Sequence, residues 1–203
     1  IVFTRHAMAM NDAMLHDAYR RFDAANAEDP NTIEVEGQPQ PKELVFAKRL
    51  SSAVMALDPD ASTALRLAAR CQHIMRWEMP RSSQPMGRTG YLKWRTLLKK
   101  FHAEQSAKIL TAAGYDADLI KQVQELNLKK NLRTDRDCQT LEDGLCLVFL
   151  EHQFDALIAD TDEEKLLGIV RKTWAKMSPH GQQATSKITF SEQGTRVLQQ
   201  ALA

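Results

Sequence analysis

Apolar positions recur at three- and four-residue spacings through most of the chain, the period of a helix with one buried face. Residues 14–25 place Leu15, Ala18, Tyr19 and Phe22 on one side. Residues 26–41 break that period with AEDPN and EGQPQP and read as an acidic loop. Pro41 suits the first turn of a second helix, which runs to about Leu57 and buries Ala47, Leu50, Val54 and Leu57. Glu43 lies on the same stripe, and DPD at 58–60 stops the helix. A third helix is expected over 61–78, with a second stripe of Arg66, Arg70, His73 and Trp77, before Pro80 and a loop at 81–90. A fourth spans 92–113 and ends at Gly114; Asp116 caps a fifth that reaches about 130. After a loop at 131–140, Thr140 and Asp143 have capping-box spacing for a sixth helix. Its LCLVFL run is apolar nearly all round, so it should be buried and deliver Glu151 and His152 at its last turn. Thr161 with Glu164 opens another helix to about Met177, ended by SPHG, and a short last one begins at Ser191. No strand pair stands out. The expectation is all-α: a compact domain of seven to eight helices over 14–203, with 1–13 set aside as an N-terminal tail.

Composition adds limits. At 203 residues the chain is long enough for a sizeable core. The net charge of +1 gives no global field towards nucleic acid or membrane, so any electrostatic recognition must be local. The longest apolar run is far short of a membrane span, and no membrane partner is expected. Three cysteines, none in a CxxC, argue against a disulfide framework or a structural zinc cluster and fit a reducing cytoplasm. The Walker, GxGxxG, GxSxG and HExxH motifs are absent.

The candidate chemistry gathers in residues 65–104, LRLAARCQHIMRWEMPRSSQPMGRTGYLKWRTLLKKFHAE. From Arg76 to Lys100 there are seven basic residues and one acid, Glu78, with Tyr91 and Trp94 interleaved. That excess reads as a solvated basic face, as a phosphate pocket using Arg70, Arg76, Arg81, Arg88 and Arg95 as bidentate partners, or as a nucleic-acid patch. The Pro- and Gly-containing loop at 81–90 suits a lid over a small ligand. His73 and His102 are either hydrogen-bonded packing histidines or a base and metal ligands. Glu43 is either a first-turn acid favourable to the helix dipole or part of a site. Glu151, flanked by Leu147 and Phe154, should point inward and then needs a cation, a metal or a proton. Thr140 explains Asp143 as a cap. His6, His16 and His180 have no supporting pattern.

ELVFAKRL, the 65–104 stretch, NLRTDRDCQTLEDGLCLVFLE and RKTWAKMSP together resemble an uncharacterised family of bacterial and fungal proteins, domain of unknown function 4202, over about residues 22–179. The order of parts is also similar, more distantly, to the all-helical HD superfamily of metal-dependent phosphohydrolases. That similarity implies an HD-like arrangement in which Glu43, His73, His102 and Glu151 stand at the metal-ligand positions. The His-Asp pair itself is missing: Gln72 and His73 occupy its place, and Glu43 stands where the first His would be. A mixed imidazole and carboxylate set suits Mn, Zn or Fe; a remodelled site without metal would bind an anion.

The leading expectation is therefore a metal-dependent phosphohydrolase acting on a small phosphorylated or anionic compound such as a nucleotide. Glu43, His73, His102 and Glu151 would be its catalytic and metal residues. The first alternative is a non-catalytic module that senses an anionic metabolite in the same basic pocket, with no cofactor. The second is an RNA-binding protein using the 76–100 face, which the near-zero net charge disfavours.

Overall fold

The computed structural model describes residues 2–132 and 134–203, with side chains from Asp12 onward. Residue 1 of the expected tail, and the side chain of His6, lie outside the described residues; from Val2 on, the backbone belongs to the first helix. The elements run in the order α1 (Val2–Ala27), β1 (Thr32–Val35), β2 (Gln38–Pro41), α2 (Lys42–Leu57), α3 (Thr63–Cys71), α4 (Arg88–Ala112), α5 (Ala117–Leu128), α6 (Arg136–His152), α7 (Phe154–Asp160), α8 (Glu163–Trp174), α9 (Pro179–Ala184) and α10 (Glu192–Leu202). Short 3₁₀ turns at Arg76–Glu78, Arg81–Ser83 and Thr185–Lys187 complete the list. The chain is mainly α-helical, as its periodicity implies. No described helix is long and apolar enough to cross a membrane.

The contacts gather into two compact units: the N-terminal helix through Ser51 with Ser62–Asn131, and Ser52–Ala61 with Leu132–Ala203. In the first, α4 packs along α5, and α3 packs on α5 and α1. Phe22, Leu50, Leu65, Leu67, Ile74 and Leu110 are fully buried in it. In the second, α10 packs on α8 and α7, and α6 on α9. Its core is built from Leu147, Leu150, Phe154, Val170 and Met177 with Leu57.

Several expectations are corrected. The loop at 26–41 contains an antiparallel hairpin, with Thr32 opposite Pro41 and Val35 opposite Gln38. Its two-residue turn places Glu36 and Gly37 at φ 52° and 76°, the mirror-image turn that matches strand twist. The hairpin brings Asp29 under the start of α2, where its carboxylate accepts from the Glu43 N–H at 2.9 Å. The third helix stops at Cys71, seven residues early, because the following turn is claimed by α1 and α4. The sixth helix begins at an Asp135 cap rather than at Thr140, whose hydroxyl bonds back to Arg136 inside α6. Asp143 is buried rather than capping, and accepts from the N–H and hydroxyl of Ser178. Asp162, not Thr161, caps α8, and SPHG opens a further helix with Ser178 as its cap.

Gly181 marks how tightly that second unit closes. A Cβ on it would lie 2.5 Å from the Asp143 carboxyl carbon. Gly181→Ala is expected to lower the unfolding free energy by about 2 kcal/mol in denaturant titrations, as overpacking against a buried carboxylate does. An unchanged midpoint would mean the Asp143 contact is slack.

Candidate functional site

The site lies in the first unit, where α2, the turn after α3 and the middle of α4 meet. Ser62 starts α3 by accepting from the Leu65 N–H, and Cys71 ends it. From Gln72 the chain turns sharply. Met75 sits at φ 51°, ψ 36°, a left-handed conformation that costs a bulky residue about 1–3 kcal/mol unless its surroundings impose it. They do so at two points. The Met75 N–H donates to Asn26 Oδ1 of α1 at 3.0 Å, and the Ile74 carbonyl accepts from His102 Nδ1 of α4 at 2.8 Å. Both Asn26 and His102 are buried.

That turn aims His73 at α2. Its ring stacks on Phe46, with centroids 4.0 Å apart and planes 12° apart, and lies 5.8 Å from the His102 ring on its other partner. His73 Nδ1 is 3.4 Å from Glu43 Oε2. His73 Nε2 is 3.3 Å from Arg76 Nη1. A guanidinium can only donate, so Nε2 is the acceptor and the proton resides on Nδ1, facing Glu43. Arg76 Nε also lies 3.9 Å from Glu43 Oε1, and its guanidinium stacks 5.2 Å from the Trp94 ring centroid. Trp94 is fixed in turn by its Nε1–H on the Met79 carbonyl at 2.9 Å.

Burial sets the charge states. It pushes the Glu43 carboxyl up to about 7, against the pull of Arg76. It holds His102 down at about 3 and His73 well below the usual imidazole range, with neighbouring positive charge adding to both. Burial also lowers Arg76, which Glu43 partly offsets. Two neutral imidazoles, one carboxyl poised near neutrality and one guanidinium therefore share the cluster. Glu43 Oε2 and His102 Nε2 are buried and make no hydrogen bond. Perturbed titrating groups beside unsatisfied buried polar atoms make this cluster the candidate site of the first unit.

The structure thus brings Glu43, His73, His102 and Arg76 together. The charge of Arg95 acts on both His73 and Arg76. Arg70 is committed elsewhere: it grips Asp23 through two bonds of 2.7 and 2.6 Å and lies over Tyr19. Arg81 uses its donors on the carbonyls of Gln84 and Pro85, so it shapes the 81–90 loop. Arg88 is exposed at the start of α4. Glu151 belongs to the second unit and is 52% exposed beside His152, so the expected inward-pointing carboxylate is not there. It falls one step beyond Leu150 on α6, on the side that the core leaves open. Phe46, inside the ELVFAKRL stretch, and Asn26 were not singled out from the sequence, because only the fold brings them to His73 and Met75.

A transition metal needs three or four protein donors. His102 fits, with Nδ1–H fixed by a carbonyl and Nε2 unsatisfied. Glu43 Oε2 fits as a second. His73 does not, because Arg76 covers its acceptor nitrogen with a positive charge. Among the described residues no group of three or more His, Cys, Asp or Glu could hold a metal ion. Within the first unit, Glu43, His73 and His102 therefore do not assemble a metal centre.

A family model described as Domain of unknown function (DUF4202) matches residues 16–198. No curated protein and no solved structure matches the chain.

Native Glu43 keeps its proton up to about pH 7, whereas the unfolded chain loses it near 4.5. Its contribution to stability is full below about 4.5 and is lost as the pH rises through about 7. Glu43→Gln should therefore gain on wild type by about 2–3 kcal/mol in unfolding free energy between pH 5 and pH 8. A difference that stays flat with pH would place the Glu43 titration back in the ordinary carboxylate range.

Proposed function

The chain belongs to the DUF4202 family, and from that premise we propose that its first unit is a phosphohydrolase of small phosphorylated compounds that works by acid–base chemistry at Glu43. The observation that carries the reading is the buried Glu43 carboxyl, poised near pH 7 and placed against neutral His73 and cationic Arg76. A general base is most effective when its pKa lies near the working pH. Arg76 supplies the charge-assisted donors that a phosphoryl group needs. In this reading Glu43 takes the proton of the attacking water as its oxygen bonds to phosphorus. The ester P–O bond breaks, and Glu43 returns the proton to the leaving oxygen. His73 Nδ1–H faces the carboxylate at 3.4 Å, and stacking on Phe46 fixes the ring. No step is routed through a metal, since the donors beside Glu43 and His102 are too few.

The second reading is a metal-free sensor of an anionic metabolite. Its support is that Arg76 faces His73 and Glu43 already stacked on Trp94, a cation pre-positioned for an anion whether or not a bond is broken.

Phosphate release from a panel of nucleotides and simple phosphate monoesters separates the two readings. Hydrolysis is expected, with kcat/KM rising with pH through about 7 as Glu43 of the free protein ionises. Glu43→Gln should reduce kcat by about 10²–10⁴-fold with KM little changed. Chelator-insensitive thermal stabilisation by the same compounds, lost in Arg76→Ala and without phosphate release, would replace the enzyme with the sensor. Stoichiometric Mn, Zn or Fe in protein purified without chelators, lost in His102→Ala, would overturn the metal-free reading.

A further inference from the structure

The basic stretch that the site does not absorb runs outward from it as a continuous track. Arg76 stacks on Trp94, Trp94 lies 6.0 Å from Tyr91, and Tyr91 carries the guanidiniums of Arg95 and Arg81 at 5.8 and 6.0 Å. Exposure increases along it, from Trp94 at 7% to Tyr91 at 42%. Arg88, Tyr91, Leu92 and Arg95 fall at helical spacings of three, one and three, so they share one face at the start of α4. Arg88 and Arg95 are about 10 Å apart along the helix axis. Between Glu78 and Glu104 the sequence holds six basic residues and no acid. Three of the four large apolar side chains exposed among the described residues, Met86, Tyr91 and Leu92, lie within the same seven residues.

The surface is preformed. Arg81 pins the loop by donating to Gln84 and Pro85, and Gly87 takes a left-handed φ of 93°. Gly90 lets the loop touch α4: a Cβ there would fall 1.9 Å from the Pro85 carbonyl oxygen. A rigid face loses little conformational entropy on binding.

Deepening the proposed site reading and resting on it, we infer that the compound processed is the phosphorylated end of a single-stranded nucleic acid. The terminal phosphate would enter at Arg76, while the following phosphates and bases run along Arg95, Tyr91 and Arg88. Alternating cations and exposed rings are what a single strand requires, because phosphates take the guanidiniums and bases bury on aromatic and apolar surface. A small isolated anion would leave this track unused. The near-zero net charge is no obstacle, since the charge is concentrated on one helix face and its loop.

Affinities of UMP and of 5′-phosphorylated oligouridylates two, three and six nucleotides long, measured by competition against a labelled hexamer, test the inference. The hexamer is expected to bind at least tenfold more tightly than UMP at low salt, with affinity falling steeply as salt is added. Arg88→Glu with Tyr91→Ala should abolish at least tenfold of the hexamer's affinity and leave UMP within twofold. Both positions are exposed, and a thermal melt checks that the fold is kept. Equal affinity for UMP and hexamer, or no effect of the double variant, overturns the track and leaves the site reading intact. Hexamer binding that depends on Arg88 without any UMP binding or phosphate release keeps the surface and removes the site reading. Binding to phosphatidylserine vesicles or to polyglutamate in place of the hexamer also overturns the inference.

Discussion

The site depends on a single imidazole bond, the Nδ1–H of His102 on the carbonyl of Ile74. Helix α3 could run on through residues 72–78, whose types all tolerate a helix. Instead the Ile74 carbonyl is taken by α4 and the Met75 N–H by Asn26 of α1. The His102 bond is buried and the Asn26 bond partly so, and the two together offset the left-handed strain at Met75, since each unpaired group would cost about as much as that strain. Ile74 fills the core behind the turn with no exposed surface. The turn then has one outlet for its side chains, and His73 and Arg76 take it. The same bond fixes the tautomer of His102, so its structural and chemical roles cannot be separated.

This also explains what could be read from the sequence and what could not. The α2 stripe of Ala47, Leu50, Val54 and Leu57 was legible because a helix period is a local property, and Glu43 came with it. The cap at Asp116 and the start of the last helix at Ser191 were legible for the same reason. The end of α3 was not, since no Gly or Pro marks it and the deciding partners are 28 and 49 residues away. Asp143 fitted a capping box by spacing alone; its true partner, Ser178, lies 35 residues on. The hairpin was hidden by Pro39 and Pro41, which ordinarily argue against a strand, and it survives because a two-stranded sheet has only edges. Among the arginines, sequence could count charges but not see which were already spent. Asp23 takes Arg70 and backbone carbonyls take Arg81, leaving Arg76 as the one that reaches Glu43 and His73.

In the proposed function the charge balance of the cluster ties recognition to chemistry. With both imidazoles neutral, its net charge is set by Glu43 and Arg76 alone. Below about pH 7 the carboxyl is protonated and the guanidinium is uncompensated, so an anion is welcome but the base is blocked. Above about 7 the carboxylate is a competent base, but it competes with the ligand for Arg76 and repels it. A phosphate bound there would raise the Glu43 pKa further, which by linkage means that anion binding would take up a proton. The two demands meet only near neutrality. A buried Glu43 is what places the crossing there, because an exposed carboxyl would ionise some two to three pH units lower and oppose the anion throughout the physiological range.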